Sequence, residues 1–156
     1  MCSLKYSAVI GATVWFLLFG YGTAYADCKR CSSLEEALQS KEIVESLELL
    51  GRLQPSLVGL ERLQALESLH INLEGMTHFP KEILSLQNLK QLVLEGNPQL
   101  SVDEIARQLQ VLPKLTKLHF RNFNCPTIPE SVLQLTQLEQ LKISNSGVKE
   151  VPAGIA

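Results

Sequence analysis

At 156 residues the chain has room for one domain of ordinary size. Its formal net charge of −2 gives no basic excess of the kind that gathers nucleic acid. Aromatic residues are few and leucine is abundant, which suits a core built by stacking one aliphatic residue many times over.

The first 26 residues do not read as part of that core. Lys5 supplies a short positive segment, and Ala8 to Gly22 is uncharged and mostly apolar, with Trp15, Phe16, Leu17, Leu18 and Phe19 at its centre. The run ends in Ala24-Tyr25-Ala26, the small-x-small pattern of a signal-peptidase site, so Asp27 is expected to open the mature chain. The competing reading is an uncleaved N-terminal membrane anchor, because the run approaches the ~20 apolar residues a spanning helix needs. A lipidation signal is disfavoured by Asp27, which stands before Cys28 where a small neutral residue is required. The expected location is secreted, periplasmic or cell-surface, with membrane contact only through an uncleaved signal segment.

Cleavage removes Cys2 and leaves Cys28, Cys31 and Cys125. In an oxidising compartment Cys28-Lys29-Arg30-Cys31 can close a small local disulfide, leaving Cys125 odd. Three other readings stay open for the pair: two free thiols, thiol–disulfide chemistry, or part of a metal site. A redox C-x-x-C normally opens a helix in a βαβ context that is missing here. A zinc site needs four ligands, and the pair offers two.

Residues 27–43 read as an N-terminal cap. Ser33-Leu34-Glu35-Glu36 is a capping box, in which the Ser33 hydroxyl accepts from the Glu36 N–H and the Glu36 carboxylate returns the bond. Leu34, Ala37 and Leu38 share a helical face, which predicts a short amphipathic helix from Ser33 to about Gln39. A helix this short is marginal alone, so it should pack on the exposed side of the first repeat.

From Val44 onward the chain repeats. The segments 44–65, 66–88, 89–114, 115–137 and 138–156 each open on L-x-x-L-x-L or a variant: Val44-Leu47-Leu49, Leu66-Leu69-Ile71, Leu89-Leu92-Leu94, Leu115-Leu118-Phe120 and Leu138-Leu141-Ile143. Self-similarity at such a period marks a solenoid. The Leu-x-Leu portion alternates with period two, predicting a short strand with one buried face. Opposite it lie Phe79-Pro80, Ile128-Pro129 and Val151-Pro152, where proline fixes the turn and cannot extend a strand. Ile83, Val132 and Ile155, three residues later, should point back inside. The third segment is three residues longer, and its Ser101-Val102-Asp103-Glu104 capping box precedes Ile105, Ala106 and Leu109 at helical spacing. A helix is therefore predicted from about Val102 to Gln110.

This pattern resembles the leucine-rich-repeat family, specifically short repeats of the L-x-x-L-x-L…x-L-P-x-x-I-x-x-L type, over essentially all of Val44 to Ile155. A cap helix and repeats after a signal segment are similar to the secreted leucine-rich-repeat proteins of bacteria. The resemblance implies an α/β solenoid: a curved right-handed superhelix of about five repeats, with parallel strands on its concave face. It also implies a protein-binding module. The family places asparagine three residues after the last strand leucine. Here those positions hold Arg52, Glu74, Asn97, Phe123 and Ser146, so loop hydrogen bonds must come from elsewhere, with Asn72, Asn122 and Asn145 as candidates. Phe123 is where irregular geometry is expected.

The residues between the strand leucines should face solvent on the concave side in three columns. The first is Ser46, Ser68, Gln91, Lys117 and Gln140; the second is Glu48, His70, Val93, His119 and Lys142; the third is Leu50, Asn72, Glu95, Arg121 and Ser144. Glu48, His70, Asn72, Glu95, Lys117, His119, Arg121 and Lys142 are the candidate binding residues. Lys117, Arg121 and Lys142 form a basic end suited to an acidic patch on a partner. The plainer alternative is a solvated strand face.

His70 and His119 stand two strands apart, hence ~10 Å, too far to share a zinc ion, and are expected to be exposed strand histidines. Cys125 should lie inward, like Met76 and Val148, which separates it from His119 and leaves it inert. No catalytic or cofactor-binding motif appears, so the expectation is a non-catalytic extracytoplasmic module binding an unknown protein ligand, with no cofactor and no nucleic acid. The alternatives are a fragment or ectodomain of a larger leucine-rich-repeat receptor, or thiol–disulfide activity at Cys28 and Cys31. The last repeat carries no polar cap. It would leave Leu138, Leu141 and Ile143 beside an open strand edge, implying further repeats, a dimer through that repeat, or fraying.

Overall fold

Six short strands pair in parallel, each beside its neighbour in sequence, in a computed structural model that describes residues 28–51 and 56–150. They are β1 (Arg30–Cys31), β2 (Ser46–Leu49), β3 (Ser68–Asn72), β4 (Gln91–Glu95), β5 (Lys117–Arg121) and β6 (Gln140–Ser144). Every connection leaves a strand, crosses the back of the molecule and returns one place further along the sheet. The first 26 residues, read above as a signal segment, together with Arg52, Val151-Pro152 and Ile155, fall outside the described residues.

Alternation drives this arrangement. Leu47, Leu49, Leu69, Ile71, Leu92, Leu94, Leu118 and Phe120 are buried, while the residues between them face outward. The leading apolar residues Val44, Leu66, Leu89 and Leu115 join the same core, which runs unbroken from Cys31 to Leu135. In β6 the corresponding Leu141 and Ile143 are only half-buried, as expected of a strand with no described neighbour beyond it.

The back of each repeat differs in how tightly it coils. A 3-10 turn spans Leu60–Arg62 and a longer one Lys81–Ser85. Pro80 has φ −70° and Pro129 φ −71°, and each ends the extended run, so that Ile83 and Val132 turn back into the core. The third repeat holds α2 (Val102–Leu109), with Ser101 Oγ accepting from the Glu104 N–H at 3.4 Å and with Val102, Ile105, Ala106 and Leu109 buried. Its three extra residues are what let the back of the coil reach full α-helix. The fourth repeat manages one turn, α3 (Glu130–Leu133).

At the N-terminal end, α1 (Leu34–Gln39) packs on β1, β2 and the first 3-10 turn. Ser33 Oγ caps it from the Glu36 N–H at 3.1 Å. The return bond is displaced by one residue from the expected box: Glu36 Oε2 accepts from the Ser32 N–H at 3.2 Å. Beneath the helix Gly59 has φ +99°, a left-handed backbone that favours glycine, and a Cβ there would lie 2.7 Å from Leu38 Cδ1, the end of a side chain that would have to turn aside. The cap is more than a helix. Cys28 and Cys31 form a disulfide, and β1 adds a sixth strand, pairing Arg30 with Ser46 and Cys31 with Leu47.

Asn97 fills the family's asparagine role, its Nδ2 donating to Leu73 O at 3.0 Å and Met76 O at 2.6 Å while Oδ1 accepts from the Gln99 N–H at 2.9 Å. In the next repeat but one Ser146 does part of the same work, Oγ accepting from the Phe123 N–H at 3.2 Å and donating to Ser144 O at 3.0 Å. Phe123 causes no irregularity: it is buried and meets Phe120 edge-on, with ring centroids 5.3 Å apart. Asn122 and Asn145 do not bridge repeats with their amides as expected. They adopt left-handed backbone, φ 60° and 52°, at the post-strand position where Gly96 has φ 58°. Asn72 Oδ1 accepts from the Glu74 N–H at 2.8 Å, a turn within its own repeat. Val148, expected inward with Met76 and Cys125, is 36% exposed, because no described residue packs over it.

Candidate binding face

The strand register sets the geometry of the open face. Ser46, Ser68, Gln91, Lys117 and Gln140 are mutual partners across the sheet, as are Glu48, His70, Val93, His119 and Lys142. Asn72, Glu95, Arg121 and Ser144 form the third column, while Leu50 lies just past β2 and is exposed. The backbone of this face is committed to the ladder, so side chains alone present chemistry.

Those side chains divide into two clusters. Glu95 Oε2 lies 3.3 Å from His70 Nε2 and 3.7 Å from Arg121 Nη1. His70 Nε2 is buried without an aligned hydrogen bond, so its contact with Glu95 is one of proximity. Arg121 therefore does not stand with the two lysines as a free cation; it faces a carboxylate. The second cluster surrounds a shallow depression of about 240 Å3 lined by Gln91, Val93, Lys117, His119, Gln140 and Lys142, over the strand leucines Leu92 and Leu118. Lys117 and Lys142 are exposed. His119 Nε2 lies 2.7 Å from Ser144 Oγ. Partial burial holds the His119 pKa below its ordinary value, Lys142, Arg121 and His70 push it the same way, and Glu95 alone opposes them. The two histidines are half-buried rather than exposed, because flanking strands and long neighbouring side chains wall them in.

Of the sequence candidates, the fold brings His70, Glu95 and Arg121 together, and separately Lys117, His119 and Lys142. Glu48 is exposed towards the opposite end, and Asn72 is used by its own turn. The diagonal contact of His70 with Glu95 was missed by reading columns alone, although diagonal neighbours on a sheet lie within reach of long side chains. Gln91 and Gln140 stand beside Lys117 as the first column predicted, but they were not among the candidate binding residues.

The cysteines are elsewhere. Cys31 is buried in β1, bonded to Cys28. Cys125 is a buried free thiol whose Sγ donates to Thr127 O at 3.3 Å, and burial pushes its pKa up. Val93 stands between His70 and His119 in register, and no group of three or more potential metal ligands occurs among the described residues.

The architecture has a solved counterpart. A leucine-rich-repeat protein of Leptospira interrogans superposes with a TM-score of 0.51 at 26% identity, over 68% of this chain and 26% of that one. The chain is a leucine-rich-repeat protein. This leucine-rich-repeat protein is also 32% identical over 96 residues to the rat volume-regulated anion channel subunit LRRC8D, covering 62% of this chain and 11% of that subunit. The leucine-rich-repeat ectodomain of the receptor kinase SOBIR1 from Arabidopsis thaliana matches at 20% identity and TM-score 0.39, over 70% of this chain and 58% of that one. No family model matches. The chain thus spans between 11% and 58% of the length of these relatives.

Proposed function

We propose that this leucine-rich-repeat protein is a non-catalytic, extracytoplasmic module that binds another protein through the concave face of its sheet. The observation carrying this reading is the in-register presentation of Lys117, His119 and Lys142 around one depression, on a face whose backbone is already satisfied. An extended polar face with a rigid apolar backing is what a protein partner can dock on without reordering the host. The extracytoplasmic assignment is supported by the Cys28–Cys31 disulfide, since such bonds persist in oxidising compartments, together with the signal-like segment ahead of it. We give that disulfide a structural role: it closes the turn leading into β1, with Cys31 only 3% exposed.

Charge reversal tests the reading. Lys117→Glu together with Lys142→Glu should weaken binding of the native partner by about a hundredfold, from two contacts of ~1–2 kcal/mol each plus the repulsion introduced. Arg121→Glu should weaken it less, because Glu95 already faces that guanidinium. Calorimetric titration of the three variants measures both. Unchanged affinity in the double variant would rule out the concave face as the binding surface.

A further inference from the structure

Two lysines on neighbouring strands with no carboxylate between them are an unbalanced arrangement. Lys142 sits opposite His119 in the register of β5 and β6, and Lys117 is diagonal to it. Two lysines nearby on the molecule do have partners: Lys90 Nζ lies 2.7 Å from Glu67 Oε1, and Lys114 Nζ lies 2.6 Å from Asn88 Oδ1. The depression beside Lys117 and Lys142 is lined by two lysines, one histidine and two glutamine amides, and by no acid. The two ammonium groups share one sign at diagonal positions of neighbouring strands, and a guest of opposite sign is attracted to both.

We propose that this depression accepts a single side-chain carboxylate from an acidic segment of the protein partner, held between Lys117 and Lys142, with His119 taking up one proton as the guest enters. The inference rests on the concave-face reading and narrows it to one chemical class. The volume of about 240 Å3 suits a carboxylate on its short stem, with Val93 beneath it and the Gln91 and Gln140 amides able to donate to the second oxygen. A nucleic acid backbone is a poorer fit, because it needs a long basic track and this chain carries a net charge of −2.

The proton step is set by the groups that face His119. From β4 it meets Glu95, with Gln91 and Val93 uncharged; from β6 it meets Lys142 and the Ser144 hydroxyl; on β5 it has Lys117 and Arg121, and His70 lies beyond on β3. In the empty face partial burial, and after it Lys142, Arg121 and His70, hold the imidazole's proton affinity below its ordinary level. A bound carboxylate adds a negative charge and raises its proton affinity, so a proton from solvent binds to the ring as the complex forms. A complex that takes up a proton tightens as pH falls.

The probe is a fluorescein-labelled Glu-Gly peptide titrated with the whole chain and read by anisotropy. Saturable binding is expected, weakened about tenfold or more by Lys117→Gln with Lys142→Gln. These side chains are exposed, so their truncation leaves the core intact. Affinity should rise as pH falls below neutrality, and His119→Asn should abolish that rise while keeping the fold by circular dichroism. No binding, tighter binding of an oligothymidine, or a pH-independent affinity in the native chain would overturn the proposal. Amide shift mapping separates its failure from that of the wider reading. A Ser-Gly or Lys-Gly peptide that outcompetes the acidic one on β4–β6 would sink the carboxylate site and leave the concave face standing. Shifts confined to α2 and α3 would sink both.

Discussion

Asn97 and Phe123 stand at equivalent positions of successive repeats and solve the same problem by opposite means. Asn97 is 5% exposed and its amide holds two carbonyls and one N–H that the turn leaves over. Asn97→Ala should therefore cost about 2–4 kcal/mol, the penalty of leaving buried carbonyls unpaired, measured by urea unfolding. Phe123 offers no hydrogen bond and instead fills the core beside Phe120, while its N–H is served by Ser146 from the following repeat. Phe123→Asn, a change towards the family's own pattern, should destabilise by about 3 kcal/mol, because a cavity opens and the new amide has no carbonyl pair waiting. Unchanged stability would mean the aromatic pair contributes nothing. Asn97 was legible in the sequence because its role belongs to one position. The answer at Phe123 was not, because it depends on Ser146, 23 residues away.

Each crossover depends on the neighbour it packs against. The sharpest case is the contact of α1 with the turn below it, where Gly59 has φ +99° and Leu38 Cδ1 would lie 2.7 Å from an added Cβ. Gly59→Ala should cost about 1–3 kcal/mol through the left-handed backbone and loosen the packing of Leu38, and with it α1, on the turn. Hydrogen exchange checks this: α1 and β1 amides should lose protection while β4 and β5 keep theirs. Loss spread evenly over the sheet would contradict so local a role. The helix α2 could be read from its capping box and apolar spacing to within one residue, since both signals are local. The strand β1 could not. It has two residues and no alternation, and it pairs because the disulfide, the Ser40 hydroxyl bonded to the Cys28 carbonyl, and the Lys29 carbonyl that accepts from Glu45 and Ser46 hold it against β2.

At the scale of the whole molecule the repeats place fold and site together. The leucines at the strand positions set which residues face in, and so which face out, and the columns were therefore readable once the period was recognised. What periodicity could not show is how those outward residues pair: Glu95 lies against His70 and Arg121, which leaves Lys117, Lys142 and His119 as the open group. Stability in a stacked array is carried by nearest-neighbour contacts, so the open face keeps its shape without a closing motion. The most direct test of the binding claim is photo-crosslinking in the source cells, with a benzoylphenylalanine placed at Gln91 or Gln140 on the open face and at Gln110 or Gln134 on the back. Concave-face binding predicts one adduct from Gln91 and Gln140, lost when Lys117→Glu and Lys142→Glu are introduced, and none from the back. Adducts only from Gln110 and Gln134, or open-face adducts that survive the reversal, would contradict it.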